Sequence, residues 1–178
     1  MNEQEQLYAE VELIKDEQLK VFTMAGLAIT PNAFWHLPAS KTGKYHPEQS
    51  LGEAGLVRHV LATIYFAKEL YTCYNCTKHE KDIILSACIL HDIGKAMYEP
   101  HDIVAATALR YMYKGDYQPV FAAIYAVRWH NGKWSTGATD CERSERGEVA
   151  FPDSFTRTSQ VVHIADYISS RKRVRLDP

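Results

Sequence analysis

The chain has 178 residues, 46% of them hydrophobic and 24% charged, and its 20 Lys+Arg against 22 Asp+Glu leave a formal charge of −2. That is an ordinary globular composition of about one domain, large enough to bury a core without disulfides. It excludes a polycation that coats nucleic acid, a collagen, a coiled-coil rod and a disordered tail. The longest apolar run, 121–127, is far short of the roughly 20 residues that cross a bilayer. The polar, acidic opening does not read as a signal peptide. The expectation is a cytoplasmic protein with no membrane partner.

Leu7, Val11, Ile14 and Val21 or Phe22 recur at near-helical spacing, which predicts one amphipathic helix over 3–22. Residues 30–52 hold Pro, Gly, Ser and Thr among aromatics and read as an ordered loop. A helix over about 53–72 follows, with Leu56, Val60, Ile64 and Ala67 on one face. Thr77 and Glu80 make a capping-box signature. The helix it opens, running to about 95, is apolar nearly all round and is expected to be central, with Gly94 ending or bending it. Pro100 suits the first turn of a fourth helix over about 100–113, closed by Gly115. Asp116 is placed to cap a fifth over about 117–130. A polar loop over 131–153 leads to a last helix over about 155–172. No alternating strand pattern occurs, so the fold class is all-α: one bundle of about six helices spanning 1–178, with its core over about 30–172.

The four cysteines, Cys73, Cys76, Cys88 and Cys141, are too few and too scattered for a disulfide framework. Cys73, Cys76 and His79 have zinc-like spacing, but a structural zinc site takes four ligands and no fourth stands nearby, so partly buried thiols at a helix end are expected. SKTGK at 40–44 lacks both the spacing and the preceding strand of a phosphate loop.

The histidines carry more information. His59 sits mid-helix, His91-Asp92 ends the most buried helix, and Asp166 lies on the last helix. A carboxylate in an apolar helix needs a charge partner, since burying it alone costs several kcal/mol. No cation lies within a turn before Asp92, and Lys95 follows three residues later. A divalent cation would satisfy both side chains of the pair, and imidazole with carboxylate suits Mn, Fe, Co, Ni or Zn.

His59, then His91-Asp92 in LHDIGK, then Asp166 in HIADYISSR, resembles the HD-domain superfamily of metal-dependent phosphohydrolases over about residues 30–172. The resemblance implies that His59, His91, Asp92 and Asp166 hold one metal and that Asp92 can bridge to a second. Residues 38–61 and the later HNGKW and HIAD strings are similar to the HD domain of bacterial 3′→5′ exoribonucleases, with Ala54-Gly55-Leu56 where that family has Gly-Gly-Leu. Binuclear members such as the HD-GYP phosphodiesterases place further histidines between the HD pair and the last Asp, where His101 and His130 stand here. Read alone, His101 is a surface residue at a helix start and His130 a cation at a helix C-terminus.

The implied cofactor is one or two divalent ions per chain, Mg included. The implied substrate is a nucleotide or a nucleic-acid end, attacked by a metal-activated water. Asp92 and Lys95 are the expected catalytic residues. Lys95, Arg171, His46 and Lys44 are the expected substrate contacts, with a solvated loop or tail as the plain reading of the last three. Arg58 points off the metal face, and His163 reads as a core or supporting histidine. A homodimer is compatible with the family. The alternatives are a nucleotide-binding regulatory protein without turnover, a di-iron oxygenase on the same fold, and an interaction module with a structural metal.

Overall fold

The structure is a computed structural model that describes residues 1–135 and 156–173. Among these residues there are seven α-helices and no strand: α1 (Glu3–Glu12), α2 (Glu17–Ala28), α3 (Gly55–Cys73), α4 (Lys78–Leu90), α5 (His101–Met112), α6 (Gln118–Trp129) and α7 (Arg157–Ser169). Short 3-10 turns at Asn32–Trp35, Glu48–Ser50, Ile93–Ala96 and Gly132–Trp134 join them. All-α architecture follows from the sequence as expected. None of the helices is long and apolar enough to cross a membrane.

The helix expected over 3–22 is two helices. Asp82 on α4 accepts the N–H groups of Lys15 and Asp16 at 3.2 and 2.9 Å, and Asp16 caps α2 through the Leu19 N–H at 3.0 Å. Ile14, in the turn, is as fully buried as Leu7 and Val11, so the apolar spacing runs unbroken across a break in the backbone. Asp116 does not cap α6. Tyr117 is its N-cap residue, and its hydroxyl donates to Asp16 across the bundle at 2.5 Å. Pro100 is the N-cap of α5 rather than a residue of its first turn.

α4 opens on the predicted capping box, Thr77 with Glu80. Its residues 83–90 are all buried, and it packs on α1, α2, α3, α6 and α7. This central helix stops at Leu90, short of the expected 95, with His91 as its C-cap and a 3-10 turn after Asp92. α3 pairs with α7, and α5 with α6. One apolar cluster draws on all seven helices. Cys76 is buried and Cys73 exposed, both as free thiols, while His79 lies 3.9 Å from Asp16. Cys141 and most of the expected 131–153 loop lie outside the described residues.

Candidate metal centre

Four elements meet at the end of α4. His59 projects from the second turn of α3, His91 and Asp92 leave the end of α4, His101 opens α5, His130 closes α6, and Asp166 comes from α7. His59, His91, Asp92 and His130 are buried. The donor atoms of His59, His91 and Asp166 lie within 4.8 Å of one another, as do those of Asp92, His101 and His130.

Asp92 stands between the two groups. Its Oδ2 is 3.3 Å from Nε2 of both His59 and His91, and Asp166 Oδ1 is 3.0 Å from the same His59 nitrogen. Its Oδ1 faces the other way, 3.4 Å from His101 Nε2 and 3.6 Å from His130 Nε2. The two pairs of imidazoles approach Nε2 to Nε2, at 3.4 Å for His59 and His91 and 3.3 Å for His101 and His130.

The outer face of each ring explains why Nε2 points inward. His91 Nδ1 meets the Cys88 carbonyl and His130 Nδ1 the Val127 carbonyl, both at 2.7 Å. A carbonyl only accepts, so Nδ1 carries a hydrogen, and whenever the ring is neutral its lone pair falls on Nε2. Ser169 Oγ donates to the Asp166 carbonyl and lies 3.3 Å from His59 Nδ1, which orients the third ring in the same sense. The Cys88 and Val127 carbonyls each lie three residues before the histidine they accept from, the natural reach of a side chain at a helix end.

The site is electrostatically tense. Burial favours a neutral Asp92, but Lys95 and His91 beside it hold its carboxyl well below the usual range. Asp166 is held low, against burial, by His59 and His91. Burial alone would lower His91, but Asp92 and Asp166 push it up to about 10. His101 is held down by burial, with His130 adding to it against Asp92. Asp92 Oδ1 is buried and has no hydrogen-bond partner. A buried carboxylate oxygen left so, facing two lone-pair nitrogens, is the donor set of a divalent cation rather than of a closed hydrogen-bond network.

A family model of the HD domain matches residues 56–171. The chain belongs to the HD domain family. No curated protein and no solved structure matches it. HD domains form a superfamily of metal-dependent phosphohydrolases and bind divalent metals. The matched span begins at Leu56 in the first turn of α3 and ends two residues past α7, so it holds every element that supplies a donor to the two clusters.

A cavity of about 480 Å³ opens over this centre of the HD domain. Asp92, Lys95, His101, His130 and Asp166 form its floor, and His46, Tyr45, Trp134, Tyr167 and Arg171 stand around it. Lys95 is committed in part to Asp92, with Nζ 2.6 Å from Oδ2. His46 Nδ1 is buried without a partner, its ring is edge-on to His59 at 5.1 Å, and burial, with His59 and Lys95 adding, takes its pKa down to about 4. Arg171 lies over the Tyr167 ring at 3.8 Å. Lys44 is not among the lining residues; it is exposed and sits over the Tyr45 ring at 5.1 Å. Arg58 turns away to the Gln49 and Leu51 carbonyls. His163 reaches the His130 carbonyl at 2.6 Å, a supporting position.

Sequence reasoning passed over Ser169, Asn131 and Tyr167, and weighed Trp134 as a core residue more than a stacking platform; the Trp134 and Tyr167 rings are parallel within 8° and form one wall. Ser169 lies three residues after Asp166 on α7, a spacing that places both near one helix face, yet a serine there gives no signal of its own.

Proposed function

We propose that this HD domain is a binuclear metal-dependent phosphohydrolase that cleaves a phosphate ester of a nucleotide or a nucleic-acid end. One observation carries the reading: Asp92 turns one oxygen to each cluster, and the oxygen facing His101 and His130 is buried without a hydrogen bond. His59, His91 and Asp166 would hold one ion and His101 and His130 a second, with Asp92 shared. Such ions, when bound, supply a water acidic enough to act near neutral pH and neutralise charge on phosphoryl oxygens.

The chain's own residues do the rest. Lys95 keeps Asp92 ionised, reaches the Ala39 carbonyl at 3.5 Å with a second hydrogen, and has a third to offer a phosphoryl oxygen from the cavity floor. Arg171, over the Tyr167 ring, presents a planar donor suited to phosphate. His46 stands edge-on to His59 at the cavity wall, a neutral imidazole beside the first cluster. Tyr45, Tyr167 and Trp134 give the wall an aromatic surface suited to a base.

The test is elemental analysis of the chain purified without chelator, beside Asp92→Ala, followed by a screen of phosphodiesters, nucleotides and phosphomonoesters with an oxygen-consumption control. About two ions per chain and ester hydrolysis, both lost in the variant, are expected. Failure to bind any ion after Mn, Co or Fe is offered would overturn the reading. Oxygen consumption without ester cleavage would replace it with the oxygenase, and tight nucleotide binding without turnover with the regulatory protein.

A further inference from the structure

Behind the second cluster lies a group of buried and partly buried polar side chains that the proposed chemistry does not use. Asp102, 1% exposed, follows His101 in the first turn of α5. Arg128 lies in the last turn of α6, two residues before His130. Arg128 Nη1 is 2.8 Å from Asp102 Oδ2 and 3.1 Å from Ser135 Oγ, and the Ser135 hydroxyl donates to the same Asp102 oxygen. The Arg128 guanidinium also covers the Trp129 ring at 4.5 Å. The start of α5, the end of α6 and the chain just past the Gly132–Trp134 turn are thus tied at one point.

An ion pair with one partner buried and the other partly so is poor evidence of net stability, because well-packed apolar residues often replace such pairs at no loss. What it does fix is geometry. His101 is the first residue of its helix and His130 the cap of its own, and helix ends fray most readily. Their Nε2 atoms nevertheless lie 3.3 Å apart, on either side of Asp92 Oδ1. The tie sits one residue from the first ligand and two from the second. His59, His91 and Asp166 come from other elements, α3, the end of α4 and α7.

We propose that Asp102, Arg128 and Ser135 are positioning residues that set the His101–His130 pair, so that they govern the affinity of the second metal and not of the first. The inference rests on the binuclear reading above. The test is Mn²⁺ binding by equilibrium dialysis on the full chain, comparing wild type with the double variant Asp102→Leu/Arg128→Met, which removes both charges together. Circular dichroism and thermal unfolding check the fold. The first site is expected to be unchanged and the second weakened by about 10–100-fold, the usual effect of losing a group that orients a ligand. Ser135→Ala leaves the ion pair in place and covers the case in which the double variant fails to fold; it is expected to weaken the second site alone by about fivefold. A second site within twofold of wild type, or two sites weakened equally, would overturn the assignment. One ion per chain in the wild type would overturn the binuclear reading, and this inference with it.

Discussion

Gly94 makes room for the backbone carbonyl of His101. A Cβ at position 94 would overlap that oxygen, and both are backbone-bound, so neither can swing aside. The close approach lets the 3-10 turn after Asp92 lie against the start of α5, which is how His101 comes to face Asp92. Gly94→Ala should therefore push the start of α5 outward. A destabilisation of about 1–3 kcal/mol is expected from the overlap, together with loss of the second ion, read by thermal unfolding and elemental analysis. Unchanged metal content would show that α5 can be displaced without moving its histidine.

Metal uptake should release protons. In the metal-free site His91 is held up at about 10, because Asp92 and Asp166 outweigh the burial that opposes its charge. A cation must displace that proton to reach Nε2. Below pH 10 the affinity should therefore rise with pH, by about tenfold per unit for each proton displaced, and level off above it. Calorimetry at pH 7 in two buffers of different ionisation enthalpy counts the protons. A zero count would mean that His91 is neutral before the metal arrives.

Lys95 and Arg171 should separate kinetically. Lys95 touches Asp92 on the cavity floor, so Lys95→Gln removes a charge that holds Asp92 ionised and, on the proposed reading, a phosphate donor. A fall in kcat of about 10²–10³ is expected, the scale for losing one pre-placed donor to a developing charge. Arg171 stands at the rim over Tyr167. Arg171→Ala should raise KM by about tenfold with kcat little changed, as when uniform binding is removed. Equal effects of the two variants on kcat would place Arg171 against the reacting group instead.

Ala54 enters α3 with φ of 54°, in the left-handed region that favours glycine. An L residue there costs about 1–2 kcal/mol, offset in part by the extra chain entropy that glycine loses on folding. Ala54→Gly should stabilise the fold by up to about 1 kcal/mol, a rise in Tm of about 2–4 °C for a chain of this size. A lower Tm would mean that the methyl group makes contacts worth more than the strain.

The order of His59, His91-Asp92 and Asp166, and the all-α class, were legible from the sequence alone. So was the start of the central helix, because Thr77 and Glu80 act within one turn and need no partner from elsewhere. Local signals of that kind are written in adjacent residues. His101 and His130 were ambiguous for the opposite reason. Each sits at a helix end with a plain alternative role, and only the packing of α5 on α6 brings their rings to 3.3 Å beside Asp92. The break at 13–16 was invisible because Ile14 keeps the apolar spacing while Asp82, 66 residues from Asp16 in the chain, takes up the backbone donors. Ser169, Asp102, Arg128 and Ser135 carry no periodic or motif signal. Their roles are hydrogen bonds across 7 to 110 positions of sequence, and such contacts exist only once the helices have packed. The sequence by itself determined which residue types were available to hold metal. The tertiary structure decided which of them share one carboxylate, because the two oxygens of Asp92 acquire different neighbours only when four separate elements converge at the end of α4.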